Sequence, residues 1–95
     1  MSPEKLAYMA NQIGKFFASQ GADKAITGIA DHIQKFWDPR MRAAIYAYLD
    51  SGGSNLDPAV CEAVRQLRTE HETNLELARA IQEENANDYD RTSQR

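Results

Sequence analysis

No helix can run uninterrupted through Asp38-Pro39 in this chain. Proline has no N–H to give to a helical ladder, and its ring pushes the residue before it out of the α region. A helix arriving from the N-terminal side must therefore end by Trp37. The same dipeptide is a good helix start: the Asp38 carboxylate can accept the orphan N–H groups of the next turn, and Pro39 suits the first helical position. Asp57-Pro58 repeats the device, and Ser2-Pro3, followed by Glu4 in the favourable first turn, offers a third start. The 95 residues are thus divided into short helical segments from the outset.

Apolar spacing agrees with that division. Leu6, Met9, Ala10, Ile13, Phe16 and Phe17 recur at helical intervals and form one stripe. Gly21 follows, where a left-handed cap is usual. A second helix begins near Asp23 and carries Ile26, Ile29, Ala30 and Ile33 on one face, ending by Trp37. The third runs from Pro39 to about Leu49, with Met41, Ala44, Ile45, Tyr48 and Leu49 facing inward, and stops at Ser51-Gly52-Gly53-Ser54. The fourth starts at Pro58 with a narrow stripe of Val60, Val64 and Leu67.

Beyond Leu67 the pattern thins. Leu75, Ala78 and Ile81 keep helical spacing among Glu70, Glu72, Glu76, Glu83 and Glu84, which fits either a long helical arm or a further short helix. From Asn85 the stripe is gone and disorder is expected unless a partner holds the segment. No strand pattern is present. The expected architecture is all-α: a small bundle of three to four short helices over residues 1–68, then an acidic extension over 69–95, partly helical and then disordered.

Charge sharpens the contrast between the two parts. The net charge is −3. Residues 1–49 hold six basic side chains against four acidic ones, and residues 50–95 hold five against ten. A dedicated nucleic-acid binder needs a concentrated basic face, which this distribution does not offer. No apolar run approaches the roughly 20 residues that span a bilayer, so no membrane partner is expected. The single cysteine, Cys61, excludes an internal disulfide framework. With no basic-then-apolar leader pattern at the N-terminus, the expected compartment is the cytoplasm. At this size only about 60% of the unfolded chain's surface is lost on folding, so a permanent partner would help stability.

Catalytic and metal-binding readings find little support. His32 and His71 lie far apart and have no cysteine pair for zinc. Cys61 has no histidine near in sequence to serve as a base. The 51–54 loop lacks the Gly-Lys-Ser/Thr ending of a phosphate loop. Candidate catalytic, cofactor-binding and metal residues are therefore none.

A partner-binding surface is the sharper expectation. Arg40 and Arg42 oppose the positive end of the third helix's dipole, and charges set against the local preference are more often there for a partner. Lys35 joins them around the corner, which is either a solvated surface or a patch for an acidic protein. Phe36 and Trp37 are either core packing or an exposed anchor of the kind enriched at hot spots. Met9, Asn11 and Gln12 form a possible neighbouring patch, the two polar ones being otherwise ordinary solvent-facing residues.

Two blocks then point to a family. Met9-Ala10-Asn11-Gln12-Ile13-Gly14, followed by His32-Ile33-Gln34-Lys35-Phe36-Trp37-Asp38-Pro39-Arg40-Met41-Arg42, resembles the small delta subunit of NAD-dependent, molybdenum- or tungsten-containing formate dehydrogenases. The likeness covers roughly residues 4–68 and leaves the acidic extension outside it. It implies a non-catalytic accessory subunit of a soluble cytoplasmic complex, which stabilises the holoenzyme or assists its assembly. The partners would be a large alpha subunit with a bis-pterin molybdenum or tungsten centre and iron–sulfur clusters, and beta and gamma subunits with FMN and further clusters. No cofactor is expected on this chain. A dedicated chaperone for metal-cofactor insertion, absent from the mature enzyme, is the alternative. The expected docking set is Met9, Asn11, Gln12, Lys35, Phe36, Trp37, Arg40 and Arg42.

Overall fold

The computed structural model describes residues 2–93, with side chains described from Ser2 to Glu83. Four helices follow in order: α1 (Pro3–Phe17), α2 (Ala22–Phe36), α3 (Pro39–Asp50) and α4 (Pro58–Ser93), with a 3₁₀ turn at Ala18–Gln20. No strand is present among the described residues. The expectation of disorder from Asn85 concerns residues whose side chains lie outside the described set, although the helix is assigned as far as Ser93.

Each start is built as the local chemistry requires. Lys5 N donates to Ser2 Oγ (3.2 Å), and Met41 N donates to Asp38 Oδ1 (2.9 Å). Gly21, with φ of +93°, makes the α1–α2 turn in a backbone region that side-chain-bearing residues rarely enter. Gly53, with φ of +55°, donates to Tyr48 O (3.0 Å) and closes the end of α3.

The stripes meet in one core: Leu6, Ala7 and Ala10 from α1, Ile29 and Ile33 from α2, Ile45 from α3, and Val60, Ala63, Val64 and Leu67 from α4. Trp37 joins them at 5% exposure, so of its two readings the packing one describes the isolated chain. Small residues let the helices close. A Cβ added at Gly14 would lie 2.6 Å from the Val60 side chain, and one added at Gly28 would lie 2.6 Å from the Phe17 ring. Burial ends at Leu67, and every described side chain from Thr69 to Glu83 is exposed. α3 still braces the start of this arm, through an ion pair between Arg68 and Asp50 and stacking of Tyr46 on His71 at 5.9 Å.

Candidate docking surface

One side of the α1–α2 pair is open. Met9, Gln12, Ile13 and Phe16 fall at i, i+3, i+4 and i+7, so they share a face of α1. Gly28, His32 and Phe36 do the same on α2 at four-residue steps. Between them lies a shallow, almost wholly apolar groove lined by Gln12, Ile13, Phe16, Phe17 and His32. Gly28 allows it: without a Cβ there, the Phe17 ring settles against α2, and Phe16 meets Phe17 edge-on at 5.1 Å. At the other end the His32 ring stacks on Phe36 at 4.7 Å. Phe16 is 74% and Phe36 72% exposed. Two large rings held on helices and left in water form an uncovered apolar patch, the kind of feature that marks an interaction site. Covering each would contribute about 2 kcal/mol by area.

The structure sorts the expected docking residues into two groups. Phe36 and Gln12 belong to this face, and Met9, partly buried against the core, lies along its edge. Arg40 is exposed and makes no hydrogen bond or ion pair among the described residues. Lys35 is also exposed, but Asp31 holds its ammonium at 3.0 Å in an i,i+4 pair. Pairs of that type contribute only about 0.3–0.5 kcal/mol, so Lys35 remains available to a stronger partner.

The other three side chains are engaged within the fold. Trp37 is core. The Arg42 guanidinium reaches back across the corner, where Nη1 donates to Trp37 O (2.7 Å) and Gln34 O (3.0 Å). These carbonyls belong to the last turn and cap of α2, which lack helical donors and carry the negative end of the dipole. Arg42 therefore opposes the start of its own helix while capping the preceding one, which gives its placement a reason within the fold. Asn11 is not ordinary solvent exposure either. Its Nδ2 donates to Asn55 O (2.7 Å), and its Oδ1 accepts from Asp57 N (2.9 Å). It fastens the α3–α4 loop to α1.

Several members of the face lay outside the expected set, Phe16 and His32 among them. Phe16 was counted in the inward stripe, but at about 100° per residue it lies on the far side of α1 from the buried face formed by Leu6, Ala7, Ala10 and Gly14. Phe17 sits about three turns from Leu6 and keeps the inward direction. That angle was the available signal. His32 carried none beyond its place one turn before Phe36.

Elsewhere the chemistry is unremarkable. Cys61 is half-buried, with Arg65 Nη2 3.7 Å from its sulfur. Burial raises the Tyr46 phenol above its ordinary range, with Arg42 pulling it down and Glu70 pushing it up. No group of three or more potential metal ligands comes together among the described residues. No helix among them is long and apolar enough to cross a membrane.

The class so defined is a small all-α module with one open aromatic face and a helical arm. Its family follows from comparison: the model of the NADH-dependent formate dehydrogenase delta subunit FdsD matches residues 5–64, and the chain belongs to that family. No curated protein and no solved structure matches it. The match spans both sides of the aromatic groove and stops short of the arm.

Proposed function

We propose that this chain is a non-catalytic delta subunit of a soluble, cytoplasmic NAD-dependent formate dehydrogenase, and that it docks through the α1–α2 aromatic face onto the large catalytic subunit. In this reading the bis-pterin metal centre, the iron–sulfur clusters and FMN reside in the alpha, beta and gamma subunits. This chain contributes shape alone, stabilising the holoenzyme or its assembly. The observation that carries the docking surface is the pair Phe16 and Phe36, each more than 70% exposed within the segment matched by the family. Groups buried on binding, with Arg40 and Lys35 at the rim, fit the composition of interface centres and edges.

The test is Phe16→Glu with Phe36→Glu in the full chain. Both rings are exposed, so the fold should persist by circular dichroism while co-purification with active dehydrogenase is lost. Retention at the wild-type ratio would place the contact elsewhere. Recovery of the wild-type chain only with enzyme lacking its metal cofactor would favour the chaperone role. Formate oxidation by the chain alone would refute the non-catalytic reading.

A further inference from the structure

The aromatic face holds one side chain that can change its charge near neutrality. His32 is half-buried in the groove wall, and its ring lies against Phe36 at 4.7 Å. Imidazole is the side chain whose ordinary titration falls between about pH 5 and 8. A partner that covers Phe16 and Phe36 covers His32 with them, because the groove they border is partly its ring.

The surroundings decide which form of the ring can be covered. The groove is walled by α1 and α2. On α1 the charged side chain in the row of Phe16 is Lys5, about two turns before Gln12, while Glu4 and Lys15 are turned about 100° or more from Phe16. On α2, Lys35 follows His32 by about one turn and Lys24 precedes it by about two on the same flank. Asp31, next in sequence, is paired with Lys35 Nζ at 3.0 Å, and Asp23 lies across the helix. Asp38 is engaged as the cap of α3. Among the described residues, then, no unengaged carboxylate shares this flank to balance an imidazolium. In the free chain, water solvates a charged ring. Under a partner that water is removed, and the faces of neighbouring aromatic rings are weak partners for a cation beside the hydration they replace.

We propose that His32 makes docking of the aromatic face sensitive to pH: the face accepts its partner when the imidazole is neutral and rejects it when the imidazole is protonated. This deepens the delta-subunit reading and rests on it for the identity of the partner. Because docking lowers the ring's proton affinity, binding is strongest in alkali and is lost as pH falls through the free chain's midpoint. A face that takes only the neutral ring loses about tenfold in affinity one pH unit below that midpoint.

Binding of the full chain to dehydrogenase complex purified without it is measured from about pH 8 to about pH 5.5 for wild type, His32→Gln and His71→Gln. The readout is each protein's own ratio of affinities across the range, so a change in absolute affinity drops out. Wild type and His71→Gln should lose about tenfold more than His32→Gln. Calorimetry in buffers of different ionisation heat should show proton release on docking by wild type and none by His32→Gln. Parallel profiles for wild type and His32→Gln, or no proton release, would overturn the switch while leaving the aromatic-face reading intact if Phe16→Glu/Phe36→Glu still abolishes binding. Tighter binding in acid would mean that the partner sets a carboxylate against His32, and a profile flattened by His71→Gln would move the titration to α4; either overturns it. So would loss of the free wild-type chain's helical circular dichroism over the same range, since the effect would then be unfolding. If wild type does not bind the complex at the alkaline end, the delta-subunit reading falls and the switch falls with it.

Discussion

Replacing Arg42 by Met tests whether the α2–α3 corner is held from within. The substitution keeps most of the apolar stem and deletes the guanidinium, whose Nη1 bridges Gln34 O and Trp37 O. Hydrogen bonds from charged donors contribute about 1.5–3 kcal/mol when shielded. The Trp37 carbonyl bond is partly buried and retains roughly 1.5 kcal/mol of that, whereas water can replace much of the exposed Gln34 bond, leaving about 0.5 kcal/mol. Against this, removing a cation from the start of α3 relieves about 0.5 kcal/mol of dipole repulsion. The net loss is about 1.5 kcal/mol. For a body of this size that is a fall in Tm of roughly 6–12 °C. Urea and thermal unfolding of the full chain, followed by helical circular dichroism, would read it. Arg40→Met is the control, since Arg40 is exposed and has no hydrogen-bond partner among the described residues; it should move stability by less than about 0.5 kcal/mol. Equal stability of the two variants would refute the capping role and return Arg42 to the docking surface.

Trp37→Ala should cost about 3–5 kcal/mol in the same unfolding assay, because the ring is nearly fully buried; a loss below 1 kcal/mol would show that it is not core. Asn11→Ala leaves Asp57 N without its side-chain acceptor and frees the loop, with an expected loss of about 1–2 kcal/mol and faster amide exchange at residues 55–57. Gly28→Leu should displace Phe17 and lower stability by about 1–3 kcal/mol, visible as loss of the near-ultraviolet aromatic signal.

How much of this was legible depends on the range of the interaction. The cap-then-proline starts operate over three or four residues, so the beginnings of α1, α3 and α4 could be read from Ser2-Pro3, Asp38-Pro39 and Asp57-Pro58. The stripes of α2, α3 and α4 were legible for the same reason, since helical periodicity is local. The Arg42 and Asn11 contacts were not. Asn11 finds its partners 44 and 46 positions away. Arg42 finds the ends of a helix whose direction relative to α3 is set only when the bundle closes. A charge or amide whose partner is a distant backbone group leaves no pattern in composition, and both residues therefore read as surface. Phe16 was misassigned because the stripe from Leu6 to Phe17 was wider than the face the bundle buries, which centres on Leu6, Ala7, Ala10 and Gly14 and leaves Phe16 beyond its edge.

The dense block from Phe36 to Arg42 also has a joint logic. Trp37 is spent in the core, Asp38 caps α3, Pro39 starts it, and Arg42 caps α2. Those engagements fix the corner and leave only Phe36 and Arg40 of the block's ring and guanidinium side chains turned outward. Phe36 is thereby held on a rigid helix end with its ring against His32, so little conformational freedom remains to be lost when it is covered. It follows that Arg42→Met should weaken docking as well as folding, and that the two effects separate by temperature. Well below the variant's Tm the chain is folded, and any residual loss of affinity reports a misdirected Phe36. Wild-type affinity under those conditions would mean that the corner's rigidity serves the fold alone.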